Sequence, residues 1–246
     1  MNGPRSPGWH THADGTSHAH PHDHEDGHEH VTRTIEVEKK VLAKNDEAAE
    51  RNRRWLAERG VVAVNLISSP GSGKTYLLER TLDRLKGKVA CAVITGDVQT
   101  DNDARRLMGR GAPVEQIETR GACHLDAIKV GALLPKIVKK GLQLLFIENV
   151  GNLVCPAAFD LGENFKIALL SVAEGEDKPL KYPVLFSDAG VVIITKMDLV
   201  PHLDWDLKKC RKYIQQVHPG VHIIELSAKT GEGMDAWIEY LGKLGL

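Results

Sequence analysis

The chain has 246 residues, with 32 Lys+Arg against 33 Asp+Glu and a formal net charge of −1. That balance excludes a general nucleic-acid coat, which needs a basic excess, and the length fits one large domain with appendages. No apolar run nears the ~18 residues of a membrane span, the N-terminus has no apolar signal-peptide core, and four cysteines make no disulfide scaffold, so a reducing, cytoplasmic setting with thiols free to bind metal is expected.

Residues 1–32 form a separate object. His10, His12, His18, His20, His22, His24, His28 and His30 are eight of the twelve histidines. Acids are interspersed with them, Gly and Pro interrupt any regular structure, and almost nothing is available to bury. Such a segment cannot offset its ordering entropy and is expected to be a disordered tail. Neutral imidazoles on a loose chain give overlapping sites of moderate affinity for Zn²⁺, Ni²⁺ or Cu²⁺, which is a buffering or storage composition. An expression tag or a solvated linker is the competing reading, but a tag is usually an unbroken histidine run.

Residues 33–60 read as helical, with apolar positions at helical spacing through Trp55 and Leu56. Asn45-Asp46 is a candidate break with a new N-cap, and Gly60 a candidate C-cap. From 61 onward the pattern changes to short β-branched runs at 61–67, 89–94, 142–147, 190–195 and 221–226, with a further strand at 114–119. Segments of helical period alternate with them at 74–86, 101–108, 124–140, 204–217 and 233–244. The alternation predicts an α/β domain over 61–246, its mostly parallel sheet flanked by helices.

The first strand is followed by Ser68-Ser-Pro-Gly71-Ser-Gly73-Lys74-Thr75, a P-loop in its required place between strand and helix. Gly71 and Gly73 let backbone N–H groups close on phosphate oxygens. Lys74 is expected to reach the β- and γ-phosphates and the Thr75 hydroxyl to ligate Mg²⁺. Pro70, Ser72 and Tyr76 complete the expected contacts. Ser68 stands where the full motif has Gly, and a positive φ there would cost about 1–2 kcal/mol.

Two strand-end segments choose the base. Thr195-Lys196-Met-Asp198 is similar to the guanine-reading Asn-Lys-x-Asp motif, with Thr for Asn. The Asp198 carboxylate can accept from guanine N1–H and N2–H₂, a donor pair that adenine lacks, and the stem of Lys196 can lie over the base. Ser227-Ala228-Lys229 resembles the loop that contacts guanine O6. Either alone is also an ordinary polar strand end; their order after a P-loop favours GTP over ATP. Glu148-Asn-Val-Gly151 resembles the Asp-x-x-Gly motif, placing Glu148 on the Mg²⁺ side and Gly151 N–H as sensor of the γ-phosphate. Asp97 is the first choice for a second Mg²⁺-side carboxylate and Asp101 the second, although Asp101 also suits a helix N-cap.

Cys123-His124 and Cys155 leave the C-terminal ends of strands, the face that also carries the nucleotide. Two thiolates and an imidazole there suit Ni²⁺ or Zn²⁺, and a two-fold dimer would complete the set. On spacing alone, two small buried cysteines and a helix-capping histidine fit equally well. Cys91 and Cys210 fall inside a strand and a helix and read as core.

Taken together, Ser69–Thr75, Gly96-Asp97, Cys123-His124-Leu-Asp126-Ala127, Glu148–Pro156 and Thr195–Leu199 resemble the HypB family of hydrogenase nickel-incorporation GTPases, over about 34–246. The resemblance implies a cytoplasmic, dimerising metallochaperone that binds GTP and GDP with Mg²⁺; turnover is expected to be slow because no obvious arginine finger or water-positioning residue declares itself. It implies delivery of nickel to the large subunit of a [NiFe] hydrogenase with a HypA-type nickel chaperone as partner, and no nucleic acid or membrane. It further implies that Cys123, His124 and Cys155 form a nickel site (zinc being possible there) at the dimer interface. Some relatives carry a Cys-rich nickel motif at the extreme N-terminus; here no cysteine precedes Cys91. The rival readings are a passive nickel store whose G domain governs only oligomerisation, a urease-type nickel GTPase, whose motif is Cys-Pro-His, and an ATP-using kinase.

Overall fold

The structure is a computed structural model describing residues 9–11, 17–19, 26–97, 102–119 and 121–245, of which 9–11, 17–19 and 26–39 are described by backbone alone. It divides into two units, 1–43 and 44–246. In the first, β1 (Trp9–Thr11) pairs antiparallel with β2 (Ser17–Ala19), and α1 (Asp26–Ala57) begins. The expected disordered tail falls largely outside the described residues.

In the second unit, α1 runs unbroken through the candidate break at Asn45-Asp46. Asn45 is buried instead of capping: its amide donates to Asp160 O (2.7 Å) and accepts from Ala127 N (2.9 Å). A side chain satisfied across the fold does not compete for its own backbone. The helix finishes in a turn closed by Gly60 at φ 64.

The chain then alternates through β3 (Val62–Ser68), α2 (Lys74–Leu85), β4 (Cys91–Asp97), α3 (Asn102–Leu107), β5 (Val114–Glu118), α4 (Ala127–Ile137) and β6 (Leu144–Glu148). It continues through α5 (Cys155–Ala158), β7 (Phe165–Ser171), α6 (Lys178–Lys181), α7 (Pro183–Asp188), β8 (Ala189–Thr195), α8 (Leu207–Val217), β9 (His222–Glu225) and α9 (Met234–Gly242). The seven strands from β3 to β9 form one parallel sheet in the order β5-β4-β6-β3-β7-β8-β9.

One strand is absent from the sequence-based expectations. β7 lies beside β3 near the centre of the sheet, yet Lys166 at its start interrupts the apolar run. The ammonium donates to Ala157 O and Asp188 Oδ2, both at 2.7 Å, so the strand enters the core with its charge matched.

Helices cover both faces. On one face Val64, Leu66, Phe146 and Leu169 pack with α2 and α9 around Trp237, whose Nε1 donates to Thr81 Oγ1 at 2.9 Å. The other face is covered by α1 and α4 over β3, β4 and β6, and by α7 and α8 over β7 and β8. Both-face burial explains why these strands read as continuous apolar runs. It also aims every strand's C-terminal end at one edge, where the loops after β3, β4, β5, β6 and β8 gather.

Candidate functional site

β3 feeds directly into the Gly-rich loop. Gly71 (φ 72) and Gly73 (φ 97) take left-handed conformations that side chains disfavour. Ser68 does not: it is the last extended residue of β3, paired with Leu169. The strain expected of a Ser at that position is therefore absent, because the loop starts one residue later. Its hydroxyl instead accepts from Lys74 Nζ at 2.8 Å and bonds the Ser72 hydroxyl. Lys74 thus folds back onto its own loop, and burial lowers its ammonium pKa against the opposing pull of Glu148.

Thr75, on the first turn of α2, donates to Glu148 Oε1 at 2.6 Å. Glu148 closes β6 and is buried; among the described residues its Oε2 has no hydrogen-bond partner. Burial pushes this carboxyl up to about 7. An orphaned carboxylate oxygen beside a hydroxyl, with Asp97 in the same cavity, is a donor set that fits a hard, oxygen-liganded divalent cation. The cavity holds about 470 Å³ and is lined by Lys74, Thr75, Asp97, Asp103, Arg106, Glu148 and Gly151. At Gly151 an added Cβ would stand 2.9 Å from Pro70 Cα, so only glycine lets the loop after β6 lie against the P-loop.

A second cavity of about 240 Å³ adjoins it through Gly73 and Tyr76, which line both. It brings together Ser72, Thr195, Lys196, Asp198, Ser227, Ala228 and Lys229. Asp198 accepts from Ser227 Oγ at 2.6 Å, with Lys229 Nζ 4.0 Å away. Lys196 reaches across to Gly71 O (2.6 Å), and among the described residues it is the one non-glycine with positive φ, at 61. Thr195, where the motif has Asn, donates to Ser72 O at 2.7 Å and ties the end of β8 to the P-loop. One cavity offers cations and carboxylates for a metal-bound polyphosphate, and the other a carboxylate acceptor for a base edge.

Cys123 and His124 stand in the loop between β5 and α4, and Cys155 is the first residue of α5. Their ligand atoms all lie within 4.8 Å of one another, and Cys123 Sγ is 3.7 Å from His124 Nδ1. An ion holding ligands at roughly 2.0–2.3 Å keeps them within about 4.6 Å of each other, so small movements would close the three on one ion. His124 does not cap α4; Asp126 does, accepting from Lys129 N at 2.8 Å. The imidazole lies against Phe159, centroids 3.8 Å apart, and burial lowers its pKa, which favours the neutral, ligating form. The neighbouring Cys123 raises the pKa of the Cys155 thiol. Cys91 and Cys210 are buried elsewhere in the core, with thiols pushed up to about 12.

Asp101 and the side chains of His10, His12, His18, His20, His22, His24, His28 and His30 lie outside the described residues. Sequence reasoning missed Asp103, Arg106 and Asn149, which line the phosphate cavity. The signal for the first two was their i, i+3 spacing on the short helix that follows the loop after β4.

Fold and cavities together define a P-loop nucleotide-binding domain of the GTPase kind. Residues 62–225 match the CobW/HypB/UreG nucleotide-binding domain. The hydrogenase maturation factor HypB of Escherichia coli K12 is 53% identical over 209 residues, covering 85% of this chain and 72% of that protein. The crystal structure of HypB from Archaeoglobus fulgidus superposes with a TM-score of 0.78 at 41% identity, covering 82% of this chain and 99% of that one. HypB from Helicobacter pylori in complex with nickel gives a TM-score of 0.77 at 37% identity, covering 81% of this chain and 94% of that one. The chain belongs to the CobW/HypB/UreG family and, within it, to the HypB hydrogenase maturation factors. Among the described residues no helix is long and apolar enough to cross a membrane.

Proposed function

We propose that this chain is a GTP-hydrolysing nickel chaperone in which nucleotide state governs nickel held by Cys123, His124 and Cys155. The observation that carries the reading is adjacency: Cys155 lies four residues beyond Gly151, the glycine pressed against Pro70 of the P-loop. A glycine loop that answers to the γ-phosphate would move a nickel thiolate in the same stroke.

Guanine selection rests on Asp198, with Lys196 beside the base and the Ser227–Lys229 loop below it. Pro70 to Tyr76 wrap the phosphates. When the polyphosphate enters, Lys74 leaves Ser68 and turns its ammonium to the β- and γ-oxygens. Thr75, Glu148 and Asp97 would hold Mg²⁺, which neutralises the phosphate charge. Among the described residues no side chain in the cavity is placed as an activator of water, and slow intrinsic turnover is the expectation.

Nickel is cargo, and three ligands leave its coordination short of four. A second copy of the chain completes the site across a two-fold axis; Ile128 and Val154, each within four residues of a ligand, are exposed apolar side chains beside it. Zn²⁺ competes for the same donors. The histidines of 1–32 form a reserve of weaker nickel sites, a HypA-type chaperone is the partner, and the large subunit of a [NiFe] hydrogenase is the client. The working compartment is the cytoplasm.

The test is nickel binding to the full chain, read by thiolate-to-nickel charge-transfer absorption, which the tail imidazoles do not produce. With GDP and with a non-hydrolysable GTP analogue the affinities should differ. Absence of a thiolate band, or identical affinity in both states, overturns the reading and leaves the passive store.

A further inference from the structure

Between the phosphate cavity and the metal cluster sits one buried amide, Asn149, which is 1% exposed. It follows Glu148 directly and precedes Gly151 by two residues. Its Oδ1 accepts from Val150 N at 3.0 Å and from Leu125 N at 3.2 Å. Its Nδ2 donates to Asn65 Oδ1 at 3.2 Å, and Asn65 Nδ2 in turn donates to Glu163 Oε1 at 3.0 Å. The amide is therefore anchored to β3, the strand that carries the P-loop.

Leu125 is the residue after Cys123-His124. Its backbone is held by Asn149, and its fully buried side chain lies on Gly96, where an added Cβ would stand 2.7 Å from Leu125 Cγ. Gly96 in turn precedes Asp97. One residue of the metal loop is thus gripped by both strand ends that face the phosphates.

We propose that Asn149 is the positioning residue that transmits nucleotide state to the nickel cluster. The proposal rests on the nucleotide-switched nickel site argued above. Both halves of the cluster are referenced to this one side chain: Cys155 through five residues of chain, Cys123-His124 through the Leu125 N–H. If the loop after β6 moves while Leu125 stays, a buried N–H loses its acceptor, at a cost of about 1–3 kcal/mol. Leu125 therefore follows Asn149, whereas Cys155, beyond Gly151, follows the glycine loop, and the distances among the three ligands change with the nucleotide. Asn149 lines the phosphate cavity, but the coupling runs through its bond to the Leu125 N–H and not through a contact with nickel.

The experiment compares nickel affinity of the full chain in the GDP and GTP-analogue states, for the native chain, Asn149→Ala and Asn149→Asp. Nickel–thiolate absorption is the readout and thermal melting the check on folding. Asn149→Ala is expected to keep the thiolate band in both states while the ratio of affinities collapses to within twofold of one. Asn149→Asp keeps an acceptor for Leu125 N–H but loses the Nδ2 donor to Asn65, and is expected to restore part of the native ratio, above that of Asn149→Ala. A purely structural role would weaken both states alike and leave the ratio intact, which overturns the inference while the switched site stands. A native ratio of one removes the switched site and this inference with it. Should Asn149→Ala not fold, amide hydrogen exchange of the native chain decides: protection of Leu125 N–H must change between nucleotide states, and equal protection overturns the proposal.

Discussion

The nucleotide cradle and the metal cluster share one edge of the sheet but are built oppositely. The cradle is made of strand ends and a helix start, and its groups already bond one another: Lys74 on Ser68, Thr75 on Glu148, Asp198 on Ser227, Thr195 on Ser72. The cluster is made of a loop and the first residue of a four-residue helix, with Cys123 exposed and its thiol beside His124 and Cys155. Such a cradle needs only local exchanges to take the polyphosphate proposed above, Lys74 leaving Ser68 among them. A loosely held cluster takes its final geometry from the ion and can be opened by a small push. The contrast suits the switch proposed above, a rigid reader next to a compliant holder.

The largest effect expected on the reader comes from Lys74→Ala. It removes the cation that leaves Ser68 for the phosphates, and GTP turnover should fall about 10²–10³-fold, as for loss of a charge-stabilising donor. Phosphate release at saturating GTP measures it; turnover within twofold of native would displace Lys74 from the site. On the holder, Cys155→Ser should weaken nickel binding at the thiolate site by at least about 100-fold, beyond what loss of a supporting hydrogen bond costs. Turnover should change little, because Cys155 lines neither nucleotide cavity. If nickel affinity and turnover fell together, the two regions would not be separable and the contrast would break.

A smaller effect is expected at the base. Asp198→Asn replaces two acceptors with an acceptor and a donor, leaving a guanine N–H unmatched at about 1–3 kcal/mol. GTP affinity should drop roughly 10–100-fold, while xanthine nucleotides, which present an oxygen where guanine has its amine, should gain. Competition between GTP and XTP reads this directly, and unchanged preference would move base recognition away from Asp198.

Legibility followed the same divide. The strands and the P-loop were readable because buried parallel strands are continuous apolar runs and Gly71 and Gly73 punctuate them at fixed spacing. The missed strand, β7, carries Lys166, whose charge is matched by Asp188 22 positions away, and no local pattern contains that partner. Asn45 was a candidate helix break for the same reason: its partners, Asp160 and Ala127, are distant in sequence. In the site, the residue types of the cluster were visible, but their meeting within 4.8 Å depends on how β5 and β6 end on one edge. Asn149 stood inside the Glu148–Gly151 motif without a role of its own there, since its partners Leu125 and Asn65 are met only in the tertiary fold.

Glu148 offers the finest test of the reader, because function and stability pull it in opposite directions. Its carboxyl is buried, one oxygen takes the Thr75 hydroxyl, and the other has no partner among the described residues. Desolvation is the dominant influence on it, and the compensation from Lys74 is incomplete. A buried carboxylate short of partners costs the fold several kcal/mol, a cost that binding of a divalent cation would remove. Glu148→Gln carries no charge into that pocket, although its amide hydrogens then need acceptors, which returns part of the gain at about 1–3 kcal/mol. Without nucleotide and magnesium the variant should therefore melt at or above the native chain, by up to about 4 °C at this chain length. With both added, the native chain should gain stability and the variant much less, together with a loss of magnesium-dependent turnover. Melting curves of the two proteins with and without Mg²⁺ and GTP separate the contributions. A variant that melts well below native without ligands would make Glu148 a structural carboxylate, and a variant that gains as much as native on adding them would remove it from the cation site.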